Sequence, residues 1–160
     1  MIVHPIPPLF NEESETLILG SFPSVKSREA AFFYGHPQNR FWAVVAEIYG
    51  CEKPQTVEEK KKLVLENKLA MWDVIESCEI EGSADSTISN VTANDLSVIL
   101  NNSKVDRIFV NGKTAEKYYN KYTYPKTGIK AICLPSTSPA NAAWRIERLV
   151  EAWKIIKQKT

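Results

Sequence analysis

Short apolar runs closed by small or turn-forming residues alternate along this chain with stretches whose apolar residues recur every three or four positions. ETLILGS (15–21) is the first such run, stopped by Gly20-Ser21, the pattern of a buried strand. LAMWDVI (69–75), VDRIFVNG (105–112) and IKAICLP (129–135) repeat it. Between them, NRFWAVVAEIYG (39–50) has helical spacing and a natural stop at Gly50. TVEEKKKLVLENK (56–68) opens with Thr56 three residues before Glu59, a capping-box signature. TANDLSVILNN (92–102) and KTAEKYYNKY (113–122) read as further helices, and EIEGSADSTISN (79–90) as a long polar loop. A final amphipathic helix is expected from Ser138 to Gln158, with Ser138 as N-cap and Pro139 in the first turn. Ile146, Leu149, Val150 and Trp153 form its apolar face, with Arg145, Arg148 and Lys154 turned elsewhere.

This alternation predicts an α/β fold of three layers, α/β/α, around a central four-stranded, mostly parallel sheet joined by right-handed crossovers. Ligands of such sheets bind beyond the carboxyl ends of the strands. Those ends are Gly20-Ser21-Phe22-Pro23-Ser24, the loop after Trp72-Asp73, Asn111-Gly112, and Pro135-Ser136-Thr137-Ser138-Pro139. Hydroxyls and prolines collect at two of the four, which is where a site is expected.

Composition narrows the picture. The 160 residues suit a single domain, 1–160, and 44% hydrophobic with 24% charged residues is ordinary globular usage. No apolar run approaches the ~20 residues of a membrane helix, and MIVHPIPPLF lacks a signal peptide's charged start and long apolar core, so a cytoplasmic protein is expected. Cys51, Cys78 and Cys133 stand singly, with no CxxC and no paired histidines, so free thiols and no metal or other cofactor are expected. A net charge of +1 argues against a protein that coats DNA, but leaves room for an enzyme that touches nucleic acid through a local patch.

The stretch GSFPSVKSREAAFFYGHPQNRFW (20–42) concentrates rings, hydroxyls and stiff turns around Asn39. Its LILGSFPS and YGHPQNRFW, followed by MWDVIESC, FVNGKTAEKY and LPSTSPAN in the right order, resemble the uracil-DNA glycosylase superfamily over nearly the whole chain. HPQNRFW and NGKTA look like its mismatch-specific branch. GSFPS, YGHPQN and PSTSPAN together look most like the hypoxanthine-DNA glycosylase branch, which removes deaminated adenine. Two departures stand out. The loop Gly20–Ser24 lacks the Asp or Asn that often orients the attacking water, and Ser136 stands where a catalytic His is common. In the hypoxanthine branch a carboxamide of the HPQN segment takes over, and Asn39 matches it.

The resemblance implies the following chemistry. The target nucleotide is rotated out of the duplex, which costs on the order of a few kcal/mol. A pocket formed by Ser21, Phe22, Pro23, Tyr34 and Ser136 then takes the base, with Phe22 the foremost stacking ring. Phe33 and Phe41 are further candidates, although Phe33, Phe41 and Trp42 equally anchor the following helix to the sheet. Asn39 accepts a hydrogen bond from water and holds it against the anomeric carbon; the plainer alternative is a helix N-cap. Ser24, Ser27, Ser138, Pro139, Ala140 and Asn141 are expected to touch DNA, although such serines also cap turns. The small Pro139-Ala140 tip is a poor plug for the vacated space, leaving Asn141 to meet the opposite strand.

His36 reads as a hydrogen-bonded loop residue. Asp73 is placed to steady the sugar cation or to cap a turn, and Asn111 to read a base edge or form a turn. No lysine stands out as a Schiff-base nucleophile, so the expected product is an abasic site without strand cutting. The expected partner is DNA containing deaminated bases, the expected state a monomer, and the expected reaction excision of hypoxanthine. Excision of uracil from G·U mismatches, or a non-catalytic nucleic-acid-binding module, are the alternatives.

Overall fold

In the computed structural model, residues 1–158 are described, and four parallel strands form the centre of the molecule. They are β2 (Thr16–Gly20), β3 (Leu69–Asp73), β6 (Arg107–Asn111) and β7 (Ala131–Leu134), following β1 (Ile2–Val3) in the chain. Their order is β3-β2-β6-β7. Every residue of β2 is buried, because helices cover both faces of the sheet and leave no solvent side. The pleat divides the apolar side chains between two cores. Ile18, Met71 and Phe109 face one side, where α2 (Phe41–Ile48), α3 (Val57–Glu66) and α7 (Ile146–Trp153) pack. Leu17, Leu19, Ile108 and Val110 face the other, against α4 (Ser97–Leu100) and α5 (Lys113–Tyr118). This is the expected three-layer architecture, with all four central strands parallel.

Local signals hold at several helix ends. Thr56 and Glu59 form the capping box of α3. α2 ends at Ile48, and Gly50 takes the left-handed conformation (φ 66°) that stops it. The helix from Lys113 passes through one π turn (119–123) before α6 (Tyr124–Thr127).

Three expectations are corrected. The polar loop 79–90 is flanked by strands: β4 (Ile75–Glu79) and β5 (Ser89–Ala93) pair antiparallel, and β1 adds to β4 as a second, three-stranded sheet. The helix expected at 92–102 shrinks to α4 because Asn94, buried, donates its amide to the carbonyls of Asp73 (2.9 Å) and Ile75 (3.3 Å). An asparagine engaged with a neighbouring strand takes its backbone out of the helix. The last helix begins at Ile146 rather than Ser138, since the Ser138 hydroxyl accepts from the Ala140 N–H and closes a local turn. Val25–Ala30 forms a short helix, α1, whose N-cap is Ser24. Among the described residues no helix is long and apolar enough to cross a membrane.

Candidate active site

The chain runs from β2 outward to β3, then returns across β2 to β6 and on to β7. The strand order therefore reverses direction between β2 and β6, and a crevice opens beyond Gly20 and Asn111. The crevice is a cleft of about 490 Å³. Ser21, Phe22, Pro23, Ser24, Ser27, Tyr34, Asn39, Ser136, Ser138, Pro139 and Ala140 all line it, and Asn141 lies in a depression that shares its wall. Phe33, His36, Asp73 and Asn111 line the cleft too, whereas Phe41 and Trp42 are buried as helix anchors.

Asn39 sits at the entrance to α2 with its side chain fixed. Its Oδ1 accepts from the Phe41 N–H (2.9 Å) and from Thr137 Oγ1 (2.9 Å). A main-chain N–H can only donate, so the atom facing it is the oxygen and the amide orientation is set. Both lone pairs are engaged, which corrects the expectation that this oxygen holds a water. The group left over is Nδ2, which has no partner among the described residues. Asn39 also does what the plainer alternative required, capping an N–H of the helix start, although Arg40 occupies the N-cap position itself.

Thr137, fully buried, joins the two ends of the cleft. Its N–H donates to Asn111 Oδ1 (3.1 Å), and its hydroxyl accepts from Asn111 Nδ2 (3.0 Å) and donates to Asn39 Oδ1. Asn111 is therefore a strut between β6 and the closing loop, not a plain turn. Arg40 completes the frame. Its guanidinium donates to the carbonyls of Ser138 (2.7 Å), Asn141 (3.1 Å), Thr137 (3.4 Å) and Trp144, pinning the loop after β7 to the start of α2. Sequence reading gave no role to Thr137 and Arg40, although both lie inside the quoted motifs LPSTSPAN and HPQNRFW, because their partners are backbone and amide groups about a hundred residues away.

The hydroxyls divide by role. Ser24 caps α1 through the Ser27 N–H (3.1 Å), and the buried Ser27 hydroxyl receives the Gly35 N–H (2.9 Å). Ser27 thus supports the loop from beneath, and a direct phosphate contact would require it to leave its burial. Ser136 Oγ accepts from the Ser138 N–H (3.1 Å), and Asn141 Nδ2 donates to the Ser136 carbonyl (3.0 Å), so the closing loop is internally braced. His36 accepts from the Gln38 N–H (3.0 Å) as a loop residue. The wall opposite is Ile80, Ser83, Ala84 and Asp85, from the β4–β5 connection, docked on α1 by the Val25 N–H to Ser83 (2.9 Å) and Arg28 to the Gly82 carbonyl (2.6 Å).

Two aromatic residues shape the interior. Phe22 projects from the end of β2 and is covered on one side by Arg28, 5.7 Å from its ring centre. Tyr34 stacks on Phe41 at 4.3 Å in a left-handed backbone conformation (φ 51°), unusual for a bulky residue. Burial, reinforced by the charge of Asp73, pushes the Tyr34 hydroxyl well above the ordinary tyrosine range, while a hydrogen bond with Asn111 works the other way. Burial likewise pushes Tyr49 up to about 12, with Arg107 opposing. Below about pH 10 both states keep these protons; above it the unfolded tyrosines ionise while the folded ones do not, so stability falls as pH rises. Urea midpoints at about pH 8 and about pH 11 are expected to show this drop, and Tyr34→Phe to flatten it.

Gly20 is required by close approach. A Cβ there would lie 2.3 Å from Asp73 Oδ1 and 3.1 Å from the Tyr34 hydroxyl. Gly20→Ala is expected to displace both groups and to destabilise the protein by about 2 kcal/mol, measured as a shift in urea midpoint.

Among the described residues no three His, Cys, Asp or Glu side chains come together as a metal-holding group. What the cleft presents is amides, hydroxyls, rings and one buried carboxylate.

The sequence matches the family model described as the uracil DNA glycosylase superfamily over residues 7–157. A hypoxanthine DNA glycosylase of Methanosarcina acetivorans is 34% identical over 158 residues, 98% of each chain. One of Methanosarcina barkeri is 33% identical over 115 residues, covering 70% of this chain and 72% of its own. A solution NMR structure of a Methanosarcina acetivorans protein superposes with a TM-score of 0.80 at 31% identity, covering 99% of this chain and all of the other. A match across almost the entire sequence, with the same fold, leaves one assignment: the chain belongs to the uracil DNA glycosylase superfamily.

Proposed function

We propose that this protein is a monofunctional DNA glycosylase that hydrolyses the N-glycosidic bond of hypoxanthine and leaves an abasic site. The observation that carries the reading is the Asn39–Thr137–Asn111 frame, which holds one free amide group rigidly over a cleft at the switch point of the sheet. The hypoxanthine DNA glycosylase relatives supply the base. The flipped purine enters between Phe22 and the Ser136–Ala140 loop, with Ser21, Pro23 and Tyr34 around it. As the bond breaks, negative charge gathers on the base, and preorganised donors aimed at it lower the barrier. Asn39 enters as such a donor: its Nδ2 hydrogens hold either the base carbonyl or the oxygen of the attacking water.

The loop 136–141, braced by Arg40, and the Ser24 turn face the strand that carries the target. We take the working unit to be a monomer, acting in the cytoplasm. The reading is tested with duplexes carrying one deoxyinosine or one deoxyuridine, incubated with the protein and then with alkali. Scission at inosine is the expected result. Scission only at uracil assigns the mismatch-specific activity instead, and binding without scission assigns a non-catalytic module.

A further inference from the structure

Negative charge gathers on the departing base, yet among the described residues no lysine or arginine lines the cleft. Two carboxyl side chains, Asp73 and Asp85, do line it. Asp73 is buried on the floor, where His4 Nε2, from the N-terminal arm, lies 2.7 Å from its Oδ2. A cation that offsets the charge of the base has to act from behind a wall. Two guanidiniums are so placed. Arg40 stands behind the closing loop, spread over four of its carbonyls, and Arg28 stands behind Phe22.

Arg28, on α1, is half-buried, and its guanidinium lies 5.7 Å from the centre of the Phe22 ring. Phe22 lines the cleft and Arg28 does not, so the ring separates the guanidinium from the space the base enters. Main-chain carbonyls fix its position: Nη2 donates to Gly82 (2.6 Å) and Nε to Ser24 (3.4 Å). Among the described residues no carboxylate pairs with it, so its charge is uncancelled. The ring is fixed as well, buried and met edge-on by His4 at 6.0 Å. An aromatic face carries negative potential, which attracts a cation and repels an anion stacked on it. A neutral purine stacks there without penalty, whereas a purine leaving with an electron pair is repelled. A guanidinium over the far face draws ring density toward itself and lowers that repulsion as the charge forms.

We infer that Arg28, acting through the Phe22 ring, stabilises the negative charge that develops on hypoxanthine as it departs. This rests on the glycosylase reading above. The glycosidic C–N bond breaks with its electron pair going to the base, and a water oxygen bonds to the anomeric carbon. The proton lost by that water is the one gained by the base. Arg28 neither gives nor takes a proton. It is a positioning residue, reaching the base only through the ring it backs. One stacking distance beyond that ring puts its charge roughly 9 Å from the base, across a buried aromatic side chain that admits no water to screen it.

The test is single-turnover cleavage of a deoxyinosine duplex with enzyme in excess, expressed per folded protein, with duplex affinity measured separately by fluorescence anisotropy. Arg28→Gln keeps an amide donor and removes the charge. It is expected to slow cleavage about tenfold with affinity unchanged. Arg28→Lys keeps the charge and loses the planar fork, and is expected to recover most of that loss. A residue that only braced the Gly82 carbonyl gives lysine no advantage over glutamine. Arg28→Gln cleaving at the wild-type rate overturns the inference, and so does Arg28→Lys cleaving no faster than Arg28→Gln. A loss of duplex affinity with cleavage intact also overturns it, by making Arg28 a phosphate contact. Wild-type protein that releases no base overturns the glycosylase reading itself, an outcome separate from the variants' failing alone.

Discussion

Asn39→Ala is expected to slow single-turnover cleavage of a deoxyinosine duplex by about 10²–10³-fold, with little change in affinity for the duplex. The size follows from what alanine removes. The Nδ2 donor disappears from the cleft, and the Phe41 N–H and Thr137 hydroxyl lose their shared acceptor. A role restricted to capping α2 would give a different pattern, namely a stability loss of about 1 kcal/mol with cleavage of the folded fraction intact. Cleavage rates corrected for folded protein separate the two, and an unchanged rate would remove Asn39 from the chemistry.

The second large effect is expected at Arg40, a residue that faces no substrate. Its guanidinium serves four carbonyls of the loop between β7 and α7, and each such bond to a charged donor is worth more than a neutral one. Arg40→Ala should destabilise the protein by about 3 kcal/mol, read as a urea midpoint shift, and should weaken binding of duplex DNA because Ser138, Pro139 and Ala140 lose their fixed positions. Arg40→Lys should fall between wild type and alanine, since an ammonium cannot reach a fan of carbonyls as a planar fork does. Equal stability of Arg40→Ala and wild type would show that the loop holds itself.

The resemblance found in the motifs agrees with the family match over residues 7–157, and the strands read from apolar runs sit within two or three residues of their observed ends. Those runs are legible because a strand covered on both faces is apolar along its middle, the polar Thr16, Asp73, Arg107 and Asn111 standing at strand ends. The second sheet was not legible. β5 consists of SNVTA, mostly exposed, with no apolar run to mark it, and the third strand, β1, joins β4 from the N-terminal arm, Ile2 lying opposite Cys78. The final helix was over-extended for a related reason: Ser138-Pro139 is a good helix start, yet the neighbouring carbonyls are captured by Arg40, about a hundred residues earlier in the chain. Local preference yields to such contacts when they satisfy several backbone groups at once.

The site divides along the same line. Asn39 could be named from the motif resemblance, and Phe22, the hydroxyl-rich closing loop and even Asp73 because they stand at the carboxyl ends of strands read from apolar runs, where ligands of parallel sheets bind. What the amide of Asn39 is free to do, and what stands beside Asp73, could not be. The first depends on Thr137 occupying the carboxamide oxygen, and the second on an N-terminal arm bringing His4 to within 2.7 Å of a residue 69 positions away. Sequence by itself determined the layers, the family pattern and the end of the sheet where the cleft lies, all consequences of periodicity and turn chemistry. Tertiary structure alone decided which lone pairs and charges remain open, because hydrogen-bond saturation is a property of three-dimensional neighbours, and no spacing along the chain encodes it.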